Sequence, residues 1–159
     1  MEIYILRHGI AELWRPGRPD AQRALTPDGK LKLGKILQRA RKAEVAPSLI
    51  LTSPYVRAVE TADMAAQALN YQGQVVRTPA LIPGSSPPAV WAELRSRPDE
   101  RAVLLSGHEP LLSATAAFLL NAPTLQIDLK KGALVRIDID QVSAHPRGVL
   151  KWILTPKLA

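Results

Sequence analysis

Glu2-Ile3-Tyr4-Ile5-Leu6-Arg7-His8-Gly9 is a short apolar run that passes without a break into an arginine, a histidine and a glycine. The run is too short for a helix and rich in β-formers, so residues 2–6 read as a strand buried on both faces. Two more stretches repeat the design. Leu49-Ile50-Leu51-Thr52 runs into Ser53-Pro54, with Arg57 just beyond, and Ala102-Val103-Leu104-Leu105 runs into Ser106-Gly107-His108. Near-continuous apolar strands need cover on both faces, which argues for helices above and below a largely parallel sheet.

The segments between these strands supply the helices. Residues 10–25 hold Pro16, Gly17, Pro19 and Asp20 and read as a loop. Thr26-Pro27 is a helix start, with a capping hydroxyl and a proline at the first helical position. That helix is expected to run to about Ala43, with Leu31, Gly34, Ile36 and Leu37 inward and Pro47 breaking it. Ser53-Pro54 has the same form, so Ser53 reads as the cap of a second helix carrying Tyr55, Val59, Ala62, Ala66 and Leu69. Asn70 to Gly73 ends it, and Val75-Val76 is a short third strand. Residues 79–88 contain four prolines and one glycine and are expected to be irregular. Residues 88–97 suit a short helix with Val90, Trp91 and Leu94 inward, and residues 109–120 another. Residues 133–139 alternate as a strand with one wetter face, and residues 149–154 form a last strand. Strands alternating with helices make an α/β fold, with a mixed sheet and one domain over residues 1–159.

Composition narrows the chemistry. The chain has no cysteine, which excludes disulfides, thiolate metal sites and cysteine nucleophiles. Its net charge is +7, concentrated early in Arg15, Arg18, Arg23, Lys30, Lys32, Lys35, Arg39, Arg41 and Lys42. Such a face suits an anionic partner, although the plainer reading is a solvated helix. Trp14 is the one aromatic among these residues, so no stacking platform for nucleic acid is visible. Trp14, Trp91 and Trp152 read as packing residues. No run approaches the roughly 20 apolar residues that span a bilayer. With no basic lead-in before the first strand, a soluble cytoplasmic protein, monomeric or weakly oligomeric, is the expectation.

In open α/β sheets, ligands bind beyond the carboxyl ends of the strands. If the three apolar strands are parallel neighbours, Arg7, His8, Arg57 and His108 meet at one sheet edge. Two guanidiniums match phosphate oxygens with planar charged forks. A neutral imidazole is a nucleophile toward phosphorus at neutral pH, and nearby arginines disfavour its protonation. A second imidazole, when protonated, can donate to a phosphoryl oxygen as charge shifts.

Arg7-His8-Gly9 after the first strand, Ser53-Pro54-Tyr55-Val56-Arg57-Ala58-Val59-Glu60-Thr61 after the second and Gly107-His108-Glu109-Pro110 after the fourth resemble the three motifs of the histidine phosphatase superfamily, the phosphoglycerate-mutase-like fold. The resemblance spans nearly the whole chain. It implies a three-layer α/β/α sandwich with a mostly parallel, mixed six-stranded sheet. It also implies that His8 is the transiently phosphorylated nucleophile, that Arg7, Arg57 and His108 form the phosphate pocket, and that no metal or other cofactor takes part. The short length, the Leu25-Thr26-Pro27 helix start and the early basic loop most resemble the SixA type of phosphohistidine phosphatase.

One departure bears on the substrate. Larger relatives that cleave phosphate esters place an acidic proton donor after the third strand, whereas Ala80 to Val90 contains no Asp or Glu. Phosphohistidine leaves as imidazole, whose conjugate acid has a pKa of about 6.5, so it suffers least from the missing acid. Glu12 and Glu109 remain candidate donors. The expected partner is therefore a phosphohistidine-bearing protein of the phosphorelay or phosphotransfer type, with no nucleic acid and no membrane. The rivals are a phosphatase of small sugar or nucleotide esters, an inactive phosphate-binding module and a nucleic-acid binder.

Overall fold

Six strands and four helices alternate along the chain, and the computed structural model describes residues 1–159. In order they are β1 (Glu2–Arg7), α1 (Pro27–Lys42), β2 (Leu49–Thr52), α2 (Val56–Ala68), β3 (Val75–Arg77), α3 (Pro87–Arg95), β4 (Ala102–Gly107), α4 (Leu111–Leu119), β5 (Leu134–Ile139) and β6 (Gly148–Leu154). The strands form one sheet in the order β3-β2-β4-β1-β5-β6. Neighbours from β3 to β1 are parallel, while β5 runs against β1 and β6 against β5. This is the mixed six-stranded α/β sheet expected from the sequence.

Alternation along the central strands divides the core between two faces. Ile3, Ile5, Leu51, Val103 and Leu105 pack with Val90, Trp91 and Leu94 of α3 and Leu112 and Ala116 of α4. Tyr4, Leu6, Ile50 and Leu104 pack with Leu33, Ile36 and Leu37 of α1 and Ala62 and Ala65 of α2. All of these are essentially inaccessible, so β1, β2 and β4 are covered on both faces, as their unbroken apolar runs require, while β3 is a half-buried edge strand. No helix is long and apolar enough to cross a membrane.

Several boundaries and faces differ from the sequence expectations. The Thr26 hydroxyl does cap α1, accepting from Gly29 N at 3.0 Å. However, the buried face of α1 is Gly29, Leu33, Ile36, Leu37 and Ala40, and Leu31 is 64% exposed. The helix stops before Pro47, where Glu44 turns the backbone to φ 57°. The apolar face of α2 is likewise Ala58, Thr61, Ala62 and Ala65 rather than Val59 and Ala66, which are only half-buried. The proline-rich stretch is more regular than expected. Thr78 caps a 3-10 turn over Pro79–Leu81, and Ser86 caps α3, each with proline in the first turn, where its missing N–H is no loss. Trp91 is buried and donates to Ser143 O at 3.0 Å, and Trp152 packs on Tyr4, but Trp14 is 61% exposed.

Gly29 went unremarked in the sequence and is structurally demanding. A Cβ there would collide with the carbonyl of Ile10, just beyond the end of β1. That carbonyl accepts Thr26 N at 2.9 Å, so the start of α1 is locked against the segment that follows His8. Gly29→Ala is expected to lower stability by about 1–3 kcal/mol, the usual cost of overpacking a filled site. Urea unfolding checks this, and unchanged stability would show that the α1 start is free to move.

Candidate active site

Strand register builds the site. Arg7 lies opposite Gly107, and Thr52 opposite Ser106, so β1, β4 and β2 end level. One residue further, His8 N donates to Gly107 O at 3.0 Å and Ser53 N donates to Ser106 O at 2.9 Å. His8, Ser53 and His108 therefore leave the sheet side by side at its carboxyl edge. Arg57 arrives from the first turn of α2. His8, Arg57 and His108 are only 6%, 4% and 2% exposed.

The neighbours of His8 determine its protonation. Its Nδ1 lies 2.7 Å from Gly9 O, and Arg57 Nε lies 3.4 Å from its Nε2. A carbonyl only accepts and a guanidinium only donates. Nδ1 must therefore carry the proton, and Nε2 presents a lone pair. Burial pulls the His8 pKa down to about 4, and Arg57, Arg7 and Lys131 push in the same direction against the Gly9 hydrogen bond. The neutral, nucleophilic form is thus the resting form at neutral pH, as the arginine-rich motif led us to expect.

Arg57 is held on three sides. Its Nη1 donates to Asp20 O at 2.9 Å, its Nη2 to Asp20 Oδ2 at 3.0 Å, and its plane sits 5.1 Å from the Tyr55 ring centroid. A guanidinium has about five N–H donors, so two remain for phosphate oxygens. Burial alone would raise the Asp20 pKa, but hydrogen bonds from Arg23 and Arg57 hold it below the ordinary value. Arg7 takes a different course. Its Nη1 donates to Leu129 O at 2.7 Å, while its buried Nε makes no hydrogen bond within the protein.

His108 faces His8 with ring centroids 5.1 Å apart and meets the Tyr55 ring edge-on. Its Nε2 lies 2.8 Å from Ser53 Oγ, and its buried Nδ1 has no partner. Burial lowers its pKa to about 3, with His8, Arg57 and Arg23 adding to the effect and Asp20 opposing it. It rests neutral, so the charged donor form requires an arriving anion. Three buried side-chain atoms in the whole protein lack a partner: Arg7 Nε, His108 Nδ1 and Thr115 Oγ1. Buried polar groups are normally satisfied, so the orphan nitrogens of Arg7, next to His8 in the chain, and of His108, whose ring faces His8, are left open to a ligand.

Ser53 does not cap α2, whose first turn has no side-chain cap. Its Oγ accepts Tyr55 N at 3.3 Å just ahead of the helix and also bonds His108. Both candidate proton donors carry partners in the structure, although Glu109 remains close enough to Arg7 to act on its charge. Glu12 pairs with Arg18 at 2.7 Å, and Glu109 accepts Ser113 N at 2.8 Å at the start of α4. The sequence reading also missed Asp20 and Thr61. Thr61 accepts Gly9 N at 3.2 Å and donates to Arg57 O at 2.7 Å, tying the His8 loop to α2. Thr61 stood in the quoted second motif, whereas Asp20 lay in a loop with no local signal.

Residues 3–82, half of the chain, match the family model of the Histidine phosphatase superfamily (branch 1). The chain belongs to this superfamily. It is 27% identical to phosphohistidine phosphatase SixA of Escherichia coli K12, over 98% of this chain and 94% of that protein. An uncharacterized protein of Picosynechococcus is 33% identical over 99% and 98% of the two chains. A solved structure of the protein histidine phosphatase SixA complexed with tungstate superimposes with a TM-score of 0.89 at 26% identity, covering 99% of this chain and 98% of that one. This superfamily member therefore resembles SixA along its length.

Both site histidines bind protons less readily folded than unfolded. Above an ordinary pKa of about 6.5 this costs nothing. As pH falls toward about 4, the unfolded state gains protons that the folded state refuses, so stability is lost. Unfolding free energy is expected to drop on the order of 5 kcal/mol between pH 7 and 4.5 from these two groups. The His8→Asn/His108→Asn variant should show a shallower fall, and an identical pH profile in wild type and variant would contradict the burial of neutral imidazoles.

Proposed function

We propose that this superfamily member removes phosphate from phosphohistidine on a protein, through a phosphorylated His8. The observation that carries the proposal is the His8 Nε2 lone pair beside Arg57 and the unpartnered nitrogens of Arg7 and His108. A phosphoryl group bound there would accept from Arg7 Nε and the spare Arg57 donors. Its negative charge would offset what keeps His108 neutral, so His108 takes up a proton as the anion arrives and donates to it. His8 Nε2 attacks phosphorus, a P–N bond forms, and the P–N bond to the substrate imidazole breaks. The substrate ring, already carrying a proton on its other nitrogen, keeps the bonding pair and leaves as neutral imidazole, so no proton need be supplied to it. Water then attacks phospho-His8, releasing phosphate and restoring the Nε2 lone pair, with the water proton passing to phosphate or solvent. Such chemistry depends on positioning and charge stabilisation rather than on a strong nucleophile.

The leaving group favours phosphohistidine over an ester. The segment after β3 has no carboxylate, and Glu12 and Glu109 are hydrogen-bonded elsewhere. A positioned general acid is worth about 10²–10⁴ in rate, and an alkoxide needs it where an imidazole does not. The kcat/KM for a phosphohistidine protein should therefore exceed that for sugar and nucleotide monoesters by at least about a hundredfold. Rapid alkaline quenching with radiolabelled substrate should trap label on wild-type enzyme, and His8→Ala should lose both label and turnover. Label persisting in His8→Ala, or esters turned over as fast as the phosphohistidine protein, would overturn the proposal.

A further inference from the structure

Beside the site lies an open groove of about 730 Å³ whose lining is dominated by cations: Arg7, Lys32, Lys35, Lys130, Lys131 and Lys157. They come from four separated segments, the end of β1, α1, the turn before β5 and the stretch after β6. Lys32 and Lys130 have surface partners in Asp28 and Asp128, pairs that contribute little when exposed. Lys35, Lys131 and Lys157 are exposed and have no carboxylate within salt-bridge distance. The folded chain thus gathers six like charges that repel one another, four of them, Arg7 included, without a carboxylate within salt-bridge distance. That arrangement is useful only when an anion covers it.

We propose that this groove docks an acidic protein face flanking the phosphohistidine, steering the substrate so that its phosphoryl group enters at Arg7. The proposal rests on the phosphohistidine-protein reading. Arg7 belongs to both places: it lines the groove, and its buried Nε is unpartnered beside His8. A ligand lying along the groove therefore brings its leading anion to the nucleophile. The other five cations are ammonium groups on flexible stems, without the planar forks that select one small, stereochemically defined ligand. They suit carboxylates spread over a protein surface. No aromatic side chain lines the groove, so it has no platform on which nucleic-acid bases would stack.

The test compares Lys35→Glu/Lys157→Glu with wild type on a phosphorylated, acidic histidine-phosphotransfer protein and on free phosphohistidine. Arg101→Glu, an exposed site at the opposite end of β4, is the control for a charge reversal placed away from the groove. At low salt the double variant should lose about tenfold or more in kcat/KM for the protein, and its salt dependence should flatten. Free phosphohistidine should change less than about twofold, which also shows that the variant is folded, and Arg101→Glu should match wild type on both. Equal turnover of the protein by double variant and wild type, or an equal loss on both substrates, would overturn the docking groove alone. A wild type that fails on the phosphoprotein yet cleaves small esters would overturn the substrate reading and the groove with it.

Discussion

The structure depends on one constraint: the His8 ring is pinned between an acceptor and a donor. Gly9 O takes the Nδ1 proton, and Arg57 Nε approaches Nε2. With both nitrogens assigned by partners of opposite character, the ring has one admissible neutral tautomer, and its lone pair points into the pocket. Burial among cations then makes the charged alternative costly. A cationic pocket would attract phosphate whatever the state of His8. Under the proposed function it serves phosphoryl transfer, because the same cations keep the imidazole neutral.

Everything around that ring serves to hold the two partners in place. The carbonyl of Gly9 is fixed because Gly9 N donates to Thr61, and Thr61 in turn grips the Arg57 carbonyl. α2 is tied to the sheet at the same level, where Ser106 Oγ donates to Ala58 O at 2.9 Å. Asp20 closes the outer side by pairing with Arg57. The guanidinium and imidazole thus meet on backbone that is anchored to three strands and one helix, which is what a catalytic constellation needs to keep its geometry.

Much of this was legible in the residues. Unbroken apolar runs signalled strands covered on both faces, and the polar groups following them signalled one crowded carboxyl edge, because parallel strands end together. What escaped were features with no local pattern. Asp20 reaches Arg57 across a long loop, and only the folded loop brings it there. Ser53 has the composition of a helix cap, but its hydroxyl, which accepts Tyr55 N ahead of α2, also bonds His108. Gly29 looks like an ordinary weak helix former until Ile10 is packed against it. The buried faces of α1 and α2 were misphased because Leu31 is apolar yet exposed and Val59 is apolar yet only half-buried, while Gly29 and Thr61 are inward for contacts rather than hydrophobicity.

Nitrogen-15 NMR of the histidine side chains, followed from pH 8 to 4.5 in the phosphate-free protein, addresses the state of His8 directly. His8 should show a protonated Nδ1 and a bare Nε2 from pH 8 down to about 5.5, gaining a second proton only as pH approaches 4.5, with the Nδ1 proton slow to exchange behind its carbonyl. A ring that carries protons on both nitrogens near pH 7, or whose single proton sits on Nε2, would contradict it.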